Sequence, residues 1–391
     1  MKPLNPYLKA EPGENIFTAQ TRFAIEHGAI NLGQGLPQHD GPGWFKDIAL
    51  KHLKDEGLNQ YGPPAGLAET RDVIADLDQR YYGLPTDPDK NVIVTAGATE
   101  GLNISLRLLL EPGDEVILFS PYYNFYNGLI GTTGAKPVFV PLRAPDWHFD
   151  PDDIRRAISP KTKAILMNTP SNPTAKIFTK QELNIISDIA RENDLYVISD
   201  EVYEFLTPPD RPHIPISSLP EMFERTIRIS SAGKTFSLTG WRMGYLSAPE
   251  HLVPSLLPAH VLASFCVPGG FQKAMAAGLE KRDYLSSLGP AFGRKADILA
   301  KGLEQAGFRV LHNGGGYFLI ADFGDFEFDG SDVEFCYYLT KEIGVTPLPM
   351  SPFCPPGDKD APKTLLRFCI AQDDKTLTAA CEKLEALKTT A

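Results

Sequence analysis

From about residue 90 the chain alternates short, uninterrupted apolar runs with longer segments of helical period. Val92-Ile93-Val94-Thr95 reads as a buried strand, Ala98 to Leu110 as a helix closed by Glu111-Pro112-Gly113-Asp114, and Val116 to Phe119 as the next strand. Phe139-Val140, Ala164 to Met167 and Leu195 to Ser199 follow at intervals long enough for crossover helices, one of them Gln181 to Arg191. A strand that is apolar at every residue is buried on both faces. Such strands, joined by helices, form a mainly parallel sheet covered on both sides. The expected class is α/β.

The last hundred residues change character. Phe292, Ala296, Leu299, Leu303 and Ala306 recur at helical spacing, followed by a strand at Tyr317 to Ala321 and a helix around Val333 to Ile343. A strand at Leu365 to Cys369 and a closing helix from Asp374 to Leu387 complete a smaller α+β unit. The 391 residues allow two or three domains at roughly 100–200 residues each. The expected division is a large domain over 45–283 and a small domain built from both chain ends, 1–44 and 284–391. Thirty-three glycines and 34 prolines are spread between the periodic segments and mark turns, not a linker.

Charge narrows the partners. Lys and Arg number 38 against 49 Asp and Glu, a net charge of −11, whereas a nucleic-acid binder normally carries a basic footprint. The five cysteines are odd in number and form no C-x-x-C pair, which argues against a disulfide framework or a zinc site. Met1 to Pro6 lacks the apolar core of a secretory signal, and the apolar stretch from Val253 to Phe271 is broken by Pro254, Pro258 and Pro268. The expectation is a cytoplasmic protein with neither nucleic-acid nor membrane partners.

Three familiar motifs fail on inspection. Ser231-Ala232-Gly233-Lys234-Thr235 contains the G-K-T of a phosphate loop, but Arg228 stands where its first glycine belongs. Gly33-Gln34-Gly35 lacks the third glycine of a dinucleotide fingerprint, where Gln38 stands. The eight histidines form no H-E-x-x-H, and no metal site is expected. What remains is an ordered set. Asn168-Thr169-Pro170-Ser171-Asn172-Pro173 follows one strand and Asp200-Glu201-Val202-Tyr203 the next. Ser231 to Lys234 follows a third apolar segment, Thr226 to Ile229, with Gly240-Trp241-Arg242 shortly after. Polar groups at the carboxyl ends of parallel strands converge on one crevice. Lysine, aspartate, tyrosine and asparagine beside serine and arginine suit an aldehyde cofactor that carries a phosphate.

In this order, these motifs resemble those of class I aminotransferases, pyridoxal-phosphate enzymes of fold type I, over about Asn31 to Glu382. Asn31-Leu32-Gly33-Gln34-Gly35, Asn59-Gln60-Tyr61, Ser231 to Phe236 and Leu366-Arg367-Phe368-Cys369 are similar to one branch in particular. It holds kynurenine aminotransferases, glutamine transaminase K, cysteine-conjugate β-lyases and bacterial methionine aminotransferases. The resemblance implies that Lys234 bonds to the aldehyde of pyridoxal 5′-phosphate and later shuttles a proton. It implies Asp200 against the pyridine nitrogen, Asn172 and Tyr203 on the phenolic oxygen, and Tyr123 stacked on the ring, with Tyr122 as the alternative. Ala98 and Thr99 at a helix N-terminus, Ser231 and Arg242 would take the phosphate. Tyr61 would reach it from a second copy in a homodimer. Arg367 would clamp the substrate α-carboxylate beside Gly35 and Asn172, with Phe17 and, across the interface, Phe265 as aromatic walls. Glu201 is expected to be structural. Thr99 stands where kynurenine enzymes commonly have tyrosine, and Ala175 where the motif often has glycine.

The implied reaction moves an amino group from a neutral amino acid, aromatic, sulfur-containing or glutamine-like, to a 2-oxo acid. The same lysine and ring also serve β-elimination from cysteine conjugates or a specialised biosynthetic step. A non-catalytic binding module is the third alternative.

Overall fold

In the computed structural model, residues 15–311 and 314–389 are described. The first 14 residues of the expected small domain, and its last two, lie outside them.

Seven strands form the central sheet. They are β1 (Val92–Thr95), β2 (Glu115–Ser120), β3 (Lys136–Pro141), β4 (Thr162–Asn168), β5 (Tyr196–Asp200), β6 (Thr226–Ser230) and β7 (Gly244–Ser247). Their order is β1-β7-β6-β5-β4-β2-β3. The pairings β6-β5-β4-β2-β3 are parallel, while β7 runs antiparallel to both β1 and β6. The carboxyl ends of the six like-directed strands therefore share one edge.

Side-chain alternation explains the two covers. Val116 and Leu118 of β2 point into one apolar cluster with Leu102 and Leu106 of the helix Ala98–Leu109. Ile117 and Phe119 point into another with Leu183 and Ile186 of the helix Lys180–Glu192. Successive residues of a strand face opposite sides, so a sheet covered twice needs a strand apolar at every position. Thr179 begins the second helix with a capping box completed by Glu182.

Toward the C-terminus a four-stranded antiparallel sheet forms in the order Leu348–Pro349, Leu365–Cys369, Phe318–Asp322, Arg309–Leu311. The helices Arg282–Gln305 and Asp374–Leu384 pack beside it, and Gly302 leaves no room for a Cβ against Cys381. The N-terminal segment joins this region: Ile30 and Asn31 pair in parallel with Val345 and Thr346, and Gln38 N–H donates to Ala371 O. The helix expected around Val333 to Ile343 is α-helical over Asp332–Tyr338 and widens to a π turn over Leu339–Ile343, ended by Gly344 at φ 79°. The apolar stretch from Val253 divides into helices Val253–Ala263 and Gly269–Leu279. Among the described residues no helix is long and apolar enough to cross a membrane.

Candidate active site

The shared strand edge collects the polar groups. Asn168 and Asp200 are the last residues of β4 and β5 and lie opposite each other in the ladder. Asn168 Nδ2 donates to Asp200 O at 2.9 Å, and its Oδ1 accepts from Asn172 N at 2.6 Å, so one asparagine shapes the loop carrying the other. Ser231 follows β6 directly and begins the four-residue helix Ala232–Thr235 that carries Lys234.

One cavity is lined by Ala98, Thr99, Tyr123, Asn172, Asp200 and Tyr203, and also by Ser231, Lys234 and Arg242. A second adjoins it through Tyr123, Asn172, Tyr203 and Lys234, and adds Phe17, Gly35 and Arg367. Tyr123 faces both spaces. Tyr122 instead packs against Phe139 in the interior. Two of the expected residues line neither cavity. Tyr61 is 83% exposed and lies against the half-exposed Phe265 with ring centroids 4.7 Å apart.

Burial sets the electrostatics. It pushes the Asp200 carboxyl up to about 6, opposed by hydrogen bonds from Tyr126 Oη at 2.6 Å and Val202 N at 3.3 Å. It pushes the Lys234 amine down to about 8, reinforced by the Arg367 and Arg242 charges and partly offset by the neighbouring Cys369 thiol and Asp200 carboxylate. Tyr123 is driven up to about 12, first by burial and then by Asp200. Arg367 is brought down to about 10 by the same desolvation.

Arg367 is an unusual guanidinium. Its Cζ lies 4.0 Å from the Phe318 ring centroid and 4.7 Å from that of Phe353. Nη1 donates to Asn172 Oδ1 at 2.7 Å and Nη2 to Gly33 O at 2.6 Å, while Nε is buried without a partner. Among the described residues no carboxylate pairs with it. A buried cation with neutral partners and a spare donor is a receptor for an anion.

At the other end, the helix Ala98–Leu109 begins at Gly97 with no side chain capping it. Gly97 has φ +79°, and a Cβ there would stand 2.6 Å from Arg242 Nη2. The backbone angle favours glycine, and any Cβ would displace the Arg242 guanidinium. Arg242 is itself left-handed at φ 53° and donates from Nη1 to Thr239 O at 3.1 Å. Free helix N–H groups, the Ser231 hydroxyl and a guanidinium make a cradle for a phosphate. The buried carboxylate, the amine that opens into both cavities and this cradle suit the three ends of pyridoxal 5′-phosphate: ring nitrogen, aldehyde and phosphate.

Glu201 belongs to a fully buried cluster beneath the site. Arg228 contacts Glu201 at 2.5 Å, Asp78 at 2.7 Å and Glu204, and His213 Nε2 lies 2.8 Å from Glu201. Tyr126, Asn168 and Arg228 were not evident as site components from the sequence. Tyr126 follows Tyr123 by three residues, and only the folded chain shows which tyrosine meets Asp200.

The model of the family "Aminotransferase class I and II" matches residues 28–384. A probable N-succinyldiaminopimelate aminotransferase of Mycobacterium tuberculosis is 38% identical over 98% of this chain and 97% of its own. Mouse kynurenine–oxoglutarate transaminase 3 is 35% identical over 95% of this chain and 88% of its own. The crystal structure of an Escherichia coli methionine aminotransferase superimposes with a TM-score of 0.93 at 35% identity, covering 98% of this chain and all of that one.

Proposed function

The chain belongs to the class I and II aminotransferases, and we propose that it moves the amino group of a neutral L-amino acid to a 2-oxo acid with pyridoxal 5′-phosphate as cofactor. The observation that carries this reading is one partly buried amine, Lys234, that lines both the cavity of a buried carboxylate, Asp200, and that of a buried guanidinium, Arg367, with no carboxylate partner among the described residues. When bound, the cofactor supplies an aldehyde for amines and a ring that draws electrons from the carbon beside the captured nitrogen.

The chain's own residues do the rest. Lys234 Nζ, with its affinity for protons lowered to about 8, is partly neutral near pH 7 and can take a proton from the substrate Cα and return it elsewhere. Asp200 holds positive charge at the ring nitrogen, and Tyr126 holds Asp200. Asn172 and Tyr203 serve the phenolic oxygen and Tyr123 the ring face. Ala98, Thr99, Ser231 and Arg242 bind the phosphate. Arg367 and the Gly35 N–H bind the α-carboxylate, beside Asn172.

Phe17 and Leu36 line the space beyond, along with Asn124 and Phe125, and among the described residues no further charged side chain does. That lining favours a neutral side chain, whether aromatic, sulfur-containing or glutamine-like. The exposed Tyr61 and Phe265 fit residues lent to a second copy, so the working unit is a homodimer, placed in the cytoplasm. The division into 45–283 and the two chain ends belongs to the same reading.

A panel of amino donors against several 2-oxo acids, read from the absorbance of the cofactor, tests it. Conversion by neutral donors supports the proposal. Pyruvate and ammonia released from cysteine conjugates without an acceptor would favour elimination, and a protein that stays colourless with added cofactor would be a binding module.

A further inference from the structure

Lys234 sits on a turn too short to hold itself. Its helix has four residues, and nucleating so short a helix fixes several dihedrals for very few hydrogen bonds. The last carbonyls of any helix also lack partners further along it. Within its own segment Lys234 O meets Ser237 N at 3.4 Å.

Two tyrosines from outside the segment supply what is missing. The Tyr317 hydroxyl donates to Lys234 O at 2.6 Å, and the Tyr284 hydroxyl reaches Thr235 O at 3.4 Å. Neither lines the two cavities described above. Tyr317 is fully buried, stacked on Phe292 at 5.3 Å and 11°, and packed beside Tyr203 at 5.1 Å. The rings of Tyr317 and Tyr203 lie 5.3 and 5.7 Å from Lys234 Nζ. Tyr317 immediately precedes the strand Phe318–Asp322, which pairs with Leu365–Cys369, where Arg367 stands opposite Ile320. One strand pair thus carries both the anchor of the lysine turn and the buried guanidinium.

We propose that Tyr317 is the positioning residue for Lys234: its hydroxyl fixes the lysine turn and ties it to the strand pair that holds Arg367. This rests on the reading of Lys234 as the reacting amine. The charged and titratable groups around that amine are Asp200, Cys369, Arg367 and Arg242, with the tyrosines 203 and 317 at their ring faces. Tyr317→Phe leaves all of these in place and removes a single O–H.

The test compares full-length Tyr317→Phe with Tyr284→Phe. In Tyr317→Phe, kcat for transamination falls about tenfold while KM for the amino donor stays within about twofold, because displacement of the amine is felt in the chemical step. Tyr284→Phe, whose bond is long, changes kcat by less than about twofold. A second readout needs no activity. Acetic anhydride labelling of Lys234 against pH, in the full-length chain without cofactor, is read by peptide mass spectrometry. The labelling midpoint, near 8 in the parent, moves up by about one unit in Tyr317→Phe as water reaches the ammonium of a loosened turn. An unchanged midpoint overturns the proposal, as does an unchanged kcat with only a lower melting temperature. If the parent protein does not transaminate and the midpoint still shifts, the functional reading fails while the hold on Lys234 stands.

Discussion

Tyr126 donates a 2.6 Å hydrogen bond to Asp200 Oδ2, and both side chains are buried at the end of the central sheet. The bond favours the charged form of a carboxylate that burial still holds up at about 6 with the bond in place. Tyr126→Phe removes it, and a hydrogen bond to a charged group is worth roughly 1.5–3 kcal/mol. The carboxylate then needs a higher pH to ionise. The acid limb of the kcat/KM profile is expected to move up by about one unit, with kcat at neutral pH reduced. A superimposable pH profile in the variant would remove Tyr126 from the site.

Gly97→Ala tests the phosphate cradle. The new Cβ would meet Arg242 Nη2 at 2.6 Å, at a backbone angle of φ +79° that disfavours a side chain. Arg242 must swing away, and the cost falls on cofactor affinity. The cofactor dissociation constant is expected to rise at least about tenfold, a loss of about 1.4 kcal/mol. Equilibrium dialysis or fluorescence titration measures it.

Arg228→Met tests the cluster beneath the site. Arg228 is 1% exposed and faces Asp78, Glu201 and Glu204. Its removal strands buried carboxylates, and breaking such a pair costs roughly 3–5 kcal/mol. Denaturant unfolding should register that loss even without cofactor. A variant as stable as the parent would show that the cluster carries little of the fold's stability.

The strands β1 and Leu365–Cys369 were legible to the residue, because both are short, mostly apolar runs buried at every position. Of the residues named for the cofactor, Asp200 ends such a strand and Lys234, Asn172 and Ser231 follow others closely, which is why their convergence could be expected. Gly244–Ser247 was not seen: four residues with a glycine at one end and a serine at the other carry no period. Arg228 interrupts an apolar strand, and its carboxylate partners come from two other segments, Glu201 and Glu204 just after β5 and Asp78 far earlier in the chain. Tyr61 and Phe265 were expected from resemblance alone, and neither lines the two cavities.

Lys234 also leaves a mark on stability. Its amine is driven from an ordinary 10.5 down to about 8 by burial, so the folded chain binds fewer protons than the unfolded chain between those values. Stability of the cofactor-free protein therefore rises with pH across that window. At pH 7 the buried ammonium costs on the order of 3 kcal/mol. Lys234→Met is expected to melt higher than the parent at pH 7, with the difference shrinking as pH approaches 10. A constant difference across this range would contradict the burial argument.

The account stands on Lys234 being the residue that bonds to the cofactor. Borohydride reduction of the purified protein in the presence of pyridoxal 5′-phosphate, followed by peptide mass spectrometry, reads this directly. The account predicts the reduced cofactor mass on the peptide containing Lys234, and its loss together with transamination in Lys234→Ala. Label confined to another lysine, or full transamination by Lys234→Ala, would contradict it.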